Sequence, residues 1–272
     1  MAPDTDPYAA RDFPARRFQT AADHYLAGRP PYPPALIARL ASLLAVAPTD
    51  RLLDLGCGPG HLALAFAPFA GEVIALDPEP AMLAIARSLT SRVQNIRVVP
   101  GGSRSLDQSL GRFRAVLIGR AFHWMDRADT LQKLDGLLEP DGAVLLFDDE
   151  HPKLPQNDWL RDYHAIVERF AEDDADRQRR KSDEFPSHVA VLLDSPFRHI
   201  ETAGLIVANA VTSETLVERA LSQSSTSRAR LGQRAEPMIA EIRSATGAIA
   251  AVPRHEIIAW TAHIARRALP AI

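Results

Sequence analysis

The stretch that decides the fold is "LLDLGCGPGH", Leu52 to His61, which has glycines at positions 56, 58 and 60. Four apolar or acidic residues stand directly before the first glycine and predict a short strand. Glycine suits the turn after such a strand because the chain must reverse tightly and bring bare backbone against a ligand. The stretch therefore predicts a strand, a ligand-binding turn and a helix, and a nucleotide-like ligand is typical of such a turn.

The spacing of the glycines bears on which nucleotide is bound. A dinucleotide-binding turn has the pattern G-x-G-x-x-G, which would place its third glycine at position 61. This chain has His61 there, and its third glycine comes one residue earlier, at Gly60. The spacing therefore counts against NAD or FAD.

Outward from this stretch, short apolar segments alternate with helical patterns. The predicted strands are Arg51–Leu55, Glu72–Asp77, Asn95–Pro100, Arg114–Gly119 and Ala143–Asp148, with His199–Val211 and Ala248–Ile264 as two further strands at the sheet edge. Apolar strands separated by helices are typical of a parallel sheet that is buried on both faces. We therefore expect an α/β fold with a doubly wound, mostly parallel, seven-stranded sheet.

The bulk composition limits the class of protein. The chain has 272 residues, 46% of them apolar, and a formal net charge of −3, which argues against a general attraction to nucleic acid or to a membrane surface. One cysteine, Cys57, allows no internal disulfide, and the first 17 residues lack the apolar core of a signal peptide. No apolar run approaches the roughly 20 residues of a membrane span. We expect a cytoplasmic monomer or homodimer without a bound metal.

Two motifs resemble a known family. "LLDLGCGPG" followed by "VIALDPEPAML" resembles the first two motifs of the class I S-adenosylmethionine-dependent methyltransferases. Further segments, "RFQTAADHYLAGRPPYPPAL", "AFHWMD" and "LEPDGAVLLF", are similar to the small-molecule branch that includes trans-aconitate methyltransferase. The resemblance covers most of residues 18–265. It implies a Rossmann-like methyltransferase fold with a helical cap, and S-adenosyl-L-methionine as the cofactor.

The resemblance also implies a set of cofactor-binding residues. They lie in the glycine turn, at the ends of the next strands and in the N-terminal segment: Tyr25, Arg29, Asp54, Gly56, Cys57, Gly58, Gly60, Asp77, Pro78, Met82, Gly102, Ser103, Gly119 and Arg120. Asp77 ends the second predicted strand, where a carboxylate accepts hydrogen bonds from ribose hydroxyls or acts as an acid at a helix N-terminus. Asp54 either braces the glycine turn or faces the ammonium group of the cofactor, and a purely structural role is equally open.

The chemistry that the resemblance implies is an in-line displacement at the sulfonium methyl, in which an oxygen, nitrogen or carbon atom of a small-molecule acceptor bonds to the methyl carbon and the sulfur leaves. The sequence shows no basic stripe, and "GRAFHW" stands where enzymes that methylate amides and bases carry N/D-P-P-[YFW]. His123 in that segment is the candidate general base, because an imidazole pKa suits proton transfer. Its alternative role is packing that shapes the pocket.

The domain organisation follows from composition and from the resemblance. Residues 1–17 are predicted to be a flexible N-terminal arm, and 18–272 the methyltransferase domain, with cap segments at about 18–34 and 150–190. The charged stretch Glu172–Glu184 is predicted to be a solvated helix face rather than a binding patch. Two other functions stay open: a protein that binds S-adenosylmethionine for another reaction such as a cyclisation, and, less favoured by the glycine spacing, a nicotinamide-dependent oxidoreductase.

Overall fold

A seven-stranded sheet forms the centre of the computed structural model, which describes residues 18–247 and 254–268. Its strands are β1 (Arg51–Leu55), β2 (Glu72–Asp77), β3 (Ile96–Pro100), β4 (Phe113–Gly119), β5 (Leu138–Glu150), β6 (His199–Val211) and β7 (Arg254–Arg266). The spatial order is β3-β2-β1-β4-β5-β7-β6, and β7 runs antiparallel to both of its neighbours. The predicted α/β class and the doubly wound, mostly parallel sheet are confirmed.

Helices connect the strands and cover both faces of the sheet. They are α1 (Ala22–Gly28), α2 (Pro34–Leu43), α3 (His61–Phe66), α4 (Pro80–Thr90), α5 (Arg127–Leu137), α6 (Arg161–Phe170), α7 (Ala175–Lys181), α8 (His188–Leu193), α9 (Ser213–Leu221), α10 (Arg228–Leu231) and α11 (Ala235–Thr246). The predicted arm, residues 1–17, and the start of the last predicted strand, residues 248–253, lie outside the described residues. Within the described ranges, no helix is both long and apolar enough to cross a membrane.

Buried apolar residues on the two faces of the sheet build two cores. In β1, Leu52 contributes to the core beneath α2 and α3, whereas Leu53 and Leu55 contribute to the core beneath α5 and α8. Side chains alternate between the faces of a strand, so an uninterrupted apolar strand is buried on both sides. This burial explains why the central strands were readable from the sequence.

The strand order places a ligand crevice beside β1. The chain passes from β1 to β2 on one side of the sheet, and it crosses over after β3 to place β4 on the other side of β1. At such a switch point the loops that follow the two strands diverge and leave a crevice at their carboxyl ends. The glycine turn after β1 and the segment after β4 therefore meet at one site.

A third buried cluster forms a separate helical layer, which we define as α6, α7, α9, α10 and α11. Its core packs α6 against α9 and α11, with Tyr163, Leu216 and Met238 among its buried members. The layer draws on residues 213–246 as well as on the segment around 150–190. It covers the carboxyl ends of the strands, because the turn that follows α9 contributes to the wall of the crevice.

The fifth strand is longer than predicted. The sequence pattern placed it at Ala143–Asp148, but β5 runs from Leu138 to Glu150. Its extension toward the carboxyl end is stabilised by antiparallel pairing with β7, which continues through Asp149 opposite Trp260. The pairing fixes the acidic side chain of Asp149 at the edge of the crevice.

Candidate active site

The glycine turn is held open by left-handed backbone. The φ angles of Gly56, Gly58 and Gly60 are 71°, 53° and 85°, a region that residues with a side chain rarely adopt. The amides of Gly56 and Cys57 both donate to the carbonyl oxygen of Leu76 in β2, at 2.8 and 3.1 Å. A Cβ atom on Gly56 would lie 2.6 Å from the Cβ of Ala121. The turn therefore requires glycine both for its conformation and for the close approach of the segment after β4.

Asp77 lies in the cavity wall at the end of β2 and is 7% exposed. Its Oδ2 accepts a hydrogen bond from the amide of Gly58 at 2.8 Å, and its Oδ1 accepts one from the amide of Glu79 at 2.8 Å. Burial raises the pKa of Asp77 to about 6, against the lowering effect of these two donors. Each carboxylate oxygen keeps a further lone pair with which it can accept a hydrogen bond from a ligand hydroxyl.

Asp54 lies beneath the turn rather than in the main cavity. Its Oδ2 accepts a hydrogen bond from the amide of Ala63 in α3 at 2.9 Å, and the residue is 1% exposed. Burial raises the pKa of Asp54 to about 7, and the charge of Asp77 acts in the same direction. Of the two roles predicted for Asp54, the observed hydrogen bond corresponds to bracing of the turn.

Two other predicted residues also lie outside the wall of the main cavity. Cys57 borders a small second cavity together with Asp54, and burial raises the pKa of its thiol well above the ordinary value. A thiol in this state is a poor nucleophile. Gly60 precedes α3 as its N-cap residue and lines neither cavity.

The main cavity has a volume of about 1110 Å³ and lies at the carboxyl ends of β1, β2, β4 and β5. The predicted residues that line it are Tyr25, Arg29, Gly56, Gly58, Asp77, Pro78, Met82, Gly102, Ser103, Gly119, Arg120 and His123. The structure therefore brings together residues from five separate segments. No group of three or more histidine, cysteine or acidic side chains within the described ranges could hold a metal ion.

Some lining residues had no signal in the sequence. They come from the end of β5, from α7 and from the turn after α9: Asp148, Asp149, Arg177, Arg180, Gln223, Ser224 and Ser225. The expectation that Glu172–Glu184 forms a solvated face is wrong for α7, because Arg177 and Arg180 line the cavity. Arg177 donates to Gln223 at 2.9 Å and is paired with Glu168, contacts that only the packing of α6, α7 and α9 creates.

Arg120 joins β4 to β5 at the edge of the cavity. Its φ of 57° lies in the left-handed region, which is unusual for a residue other than glycine. Its Nε donates to Oδ1 of Asp149 at 2.5 Å, and its guanidinium lies over the rings of Tyr32 and Trp260. Burial alone would raise the pKa of Asp149, but the charge and the hydrogen bond of Arg120 hold that pKa below its ordinary value.

Arg29 is the second guanidinium at this edge. Its Nε is buried and has no hydrogen-bond partner, and the guanidinium carbon lies 5.4 Å from the ring centroid of Tyr25. Burial and the charge of Arg120 lower the pKa of Arg29. No ion pair joins Arg29 to a carboxylate in the part of the chain that the structure describes. A largely buried guanidinium that has no ion pair among the described residues is costly, so this residue favours an anionic group of a ligand.

The far end of the cavity combines aromatic and cationic side chains. Phe18 meets Trp124 edge-on at 5.7 Å, and the guanidinium of Arg180 lies 4.3 Å from the ring centroid of Trp124. His123 and His188 stand nearly parallel, at a centroid distance of 6.3 Å. Burial and then the charge of Arg180 lower the pKa of His123 well below 6.5, and burial lowers that of His188 to about 4. Both imidazoles are therefore neutral near pH 7.

Comparison with known proteins agrees with this geometry. Residues 52–142 match the family model described as a methyltransferase domain. An uncharacterized methyltransferase of Mycobacterium tuberculosis is 28% identical over 212 residues, which cover 76% of this chain and 76% of that one. The uncharacterized methyltransferase YcgJ of Bacillus subtilis is 33% identical over 108 residues, or 39% of this chain and 43% of that one. The protein is an S-adenosylmethionine-dependent methyltransferase.

Solved structures support the fold of this methyltransferase. The crystal structure of YcgJ is 18% identical, covers 86% of this chain and 99% of its own, and has a TM-score of 0.52. An S-adenosylmethionine-dependent methyltransferase from Geobacter sulfurreducens, solved in complex with S-adenosyl-L-homocysteine, has a TM-score of 0.53 at 17% identity. The match covers 93% of this chain and 98% of that one. At these identities the likeness concerns the fold alone. The nicotinamide-dependent alternative gains no support from these matches.

Proposed function

We propose that this methyltransferase transfers the methyl group to a small-molecule acceptor of the kind used by the branch that includes trans-aconitate methyltransferase. The observation that carries the proposal is one continuous cavity, with the glycine turn and Asp77 at one end and His123 and Trp124 at the other. Its volume of about 1110 Å³ exceeds the roughly 300–1,000 Å³ typical of a site for one small ligand. The cavity therefore has room for a cofactor and an acceptor side by side.

The residues at the first end fit S-adenosylmethionine. The carboxylate of Asp77 would accept hydrogen bonds from the ribose hydroxyls, and the bare backbone of Gly56 and Gly58 would lie against the methionine portion. The guanidinium of Arg29, which lacks a carboxylate partner among the described residues, would bind the cofactor carboxylate.

The remaining predicted contacts surround the nucleoside and the amino-acid portion. Pro78 and Met82 would flank the adenine, and Gly102 and Ser103 would hold it through backbone groups. Gly119 and Arg120 would contact the amino-acid portion through their backbone. Asp54, Cys57 and Gly60 would shape the turn from behind rather than touch the ligand, because they lie outside the wall of the main cavity.

The protein would contribute to catalysis mainly by positioning the acceptor atom in line with the methyl carbon. S-adenosylmethionine would supply a methyl carbon activated by its sulfonium sulfur: the acceptor atom would bond to that carbon in line with the breaking S–CH₃ bond, and S-adenosylhomocysteine would leave. The rings of Phe18 and Trp124 would help to exclude water from the acceptor end, and the neutral imidazole of His123 could accept a hydrogen bond from a hydroxyl or amine of the acceptor. Since an efficient general base has a pKa near the working pH, the low pKa of His123 favours orientation of the acceptor over proton removal.

The walls of the acceptor end restrict the chemistry of the acceptor. The aromatic faces of Phe18 and Trp124 favour a planar or apolar body. The guanidiniums of Arg177 and Arg180, together with the neutral histidines, favour a group that accepts hydrogen bonds or carries negative charge. The helical layer closes over this end, so a small molecule fits the site better than a macromolecular chain.

Calorimetric titration with S-adenosylmethionine, S-adenosylhomocysteine and NAD tests the cofactor site, and the Asp77→Ala variant locates it. We expect micromolar binding of the first two ligands, lost in the variant. A panel of small acceptors is then screened for formation of S-adenosylhomocysteine in the presence and absence of protein. Binding of NAD alone would overturn the proposal, and tight cofactor binding without turnover on any acceptor would favour the non-methylating alternative.

A further inference from the structure

Two arginines, Arg219 and Arg120, hold the backbone on either side of Arg29. In α9, Nε of Arg219 donates to the carbonyl oxygen of Gly28 at 3.0 Å. On the opposite side, Nη2 of Arg120 donates to the carbonyl oxygen of Pro30 at 3.3 Å. The residue between these two carbonyls is therefore fixed by its main chain, while its own guanidinium faces the cavity.

Each of these arginines is neutralised by a carboxylate from the sheet. Arg120 pairs with Asp149 of β5, and Arg219 forms a bidentate pair with Glu256 of β7, with N–O distances of 2.5 and 2.7 Å. Glu256 is 1% exposed, and its Oε2 also contacts Nε2 of His151 at 2.9 Å. Burial alone would raise the pKa of Glu256, but Arg219 and His151 lower it to about 2.

Close packing ties the end of α1 to α9. A Cβ atom on Gly28 would lie only 2.4 Å from the backbone nitrogen of Arg219. One turn earlier in α1, Nδ1 of His24 contacts Oε2 of Glu218 at 2.8 Å. The place at which α1 ends, and with it the position of Arg29, is thus determined by α9.

Arg29 differs from Arg120 and Arg219 in its ion pairing. The charges of Arg120 and Arg219 are balanced by Asp149 and Glu256, whereas Arg29 has no ion pair to a carboxylate within the described ranges. Arg219 itself does not line the main cavity. Its hydrogen bond to Gly28 links it to the cavity through the segment that carries Arg29.

We propose that Arg219, anchored by Glu256, is a positioning residue that presents Arg29 to the carboxylate of the cofactor. The inference rests on the proposed role of Arg29 in cofactor binding. A guanidinium fork binds a carboxylate well only in a defined orientation. Fixing the carbonyls on both sides of Arg29 lowers the entropy lost when the ligand binds, because the segment is already ordered.

Two ligands separate this role from general support of the fold. S-adenosylhomocysteine carries the amino-acid portion, whereas 5′-methylthioadenosine has the same nucleoside and sulfur but no carboxylate. In calorimetric titrations, we expect Arg219→Gln to lower the affinity for S-adenosylhomocysteine by roughly tenfold, a typical size for coupling between two sites. We expect its affinity for 5′-methylthioadenosine to stay within about twofold, which is ordinary non-additivity between independent sites.

The matched control breaks a second bidentate pair, which joins α11 to α9. Arg243 binds Glu214 of α9 with N–O distances of 2.7 and 2.8 Å, but the pair is exposed and does not reach α1. We expect Arg243→Gln to leave both affinities unchanged. Loss of one partner of a buried ion pair can unfold a protein. The double variant Arg219→Met/Glu256→Met avoids this problem because it removes both charges, and it still removes the hydrogen bond to the carbonyl oxygen of Gly28.

A double-mutant cycle identifies the residue through which Arg219 acts. In an Arg29→Gln background, we expect Arg219→Gln to cause no further loss of S-adenosylhomocysteine affinity. The inference would be overturned if Arg219→Gln and Arg219→Met/Glu256→Met each lost affinity equally for both ligands. It would also be overturned if their affinity for S-adenosylhomocysteine were unchanged. Failure of the wild-type protein to bind S-adenosylhomocysteine would instead overturn the proposed function.

Discussion

The carboxylate of Asp77, at the end of β2, accepts a hydrogen bond from the amide of Gly58, in the turn after β1, at 2.8 Å. The same carboxylate accepts a second hydrogen bond from the amide of Glu79 at the start of α4. One side chain therefore couples the glycine turn to the strand next to it. The proposed ribose site and the proposed methionine site both depend on this carboxylate, so a change at Asp77 should weaken binding of both portions of the cofactor.

Replacement of Asp77 by Asn leaves one of its two amide donors without an acceptor, because the new NH₂ group can only donate. We expect affinity for S-adenosylhomocysteine to fall by roughly 10- to 100-fold, since hydrogen bonds to a charged group contribute about 1.5–3 kcal/mol. The matched control is Asp50→Asn, which alters a similar aspartate–amide contact to Ala47 before β1. Equal calorimetric affinities for Asp77→Asn and wild type would rule out this carboxylate as a cofactor contact.

The buried carboxylate of Asp54 gives the protein a defined dependence of stability on pH. Folding raises the pKa of Asp54 from 3.8 to about 7, so between these values the folded protein keeps a proton that the unfolded chain has released. This group therefore makes the free energy of unfolding fall as pH rises from about 4 to about 7. The Asp77 carboxyl, with a pKa raised to about 6, acts in the same direction.

The Asp54→Asn variant keeps an acceptor for the amide of Ala63 but carries no charge. We expect it to be more stable than wild type at pH 8 by on the order of 3 kcal/mol, and to differ little from it at pH 4. Urea unfolding at the two pH values measures the difference. A variant that is less stable than wild type at pH 8 would show that the charged carboxylate stabilises the turn.

Substitution of Gly56 by Ala tests the close approach of the turn to the segment after β4. The new Cβ would lie 2.6 Å from that of Ala121, and the φ of 71° is unfavourable for alanine. We expect a loss of about 2–4 kcal/mol in the free energy of unfolding, combining overpacking with left-handed backbone.

Gly136 in α5 provides the control for that substitution, because a Cβ there meets nothing within 4 Å. Gly136→Ala should raise stability by up to about 1 kcal/mol through helix propensity. Urea denaturation of both variants measures the contrast. Equal effects of the two substitutions would show that the turn does not need glycine.

The histidines at the acceptor end should remain neutral across the physiological range. Burial and the nearby guanidiniums lower the pKa of His123 well below 6.5 and that of His188 to about 4. We expect their imidazole resonances, assigned with His123→Gln and His188→Gln, to stay constant from pH 5.5 to 8 in NMR titrations. A midpoint near 7 for His123 would restore it as a general base.

Patterns confined to single strands were readable from the sequence. The bounds of β1, β2 and β6 agree with the predicted ones, because apolar runs bounded by glycine, proline and polar residues are local signals. The spacing of Gly56, Gly58 and Gly60 likewise excluded the dinucleotide pattern without any knowledge of the fold. The bounds of β5 were less accurate, since its extension toward the carboxyl end depends on its pairing with β7.

The sequence by itself determined the α/β class, the glycine turn, the carboxylate at the end of β2 and the cofactor class, because each depends on residues that are neighbours in the chain. Only the tertiary structure decided which charges meet. Arg177 and Arg180 belong to a charged stretch that looks solvated, yet packing of α7 places them in the cavity wall. Arg219 reaches Gly28 across 191 positions of sequence. A contact between residues that far apart leaves no periodic trace in the sequence, because it depends on how whole helices pack against the sheet.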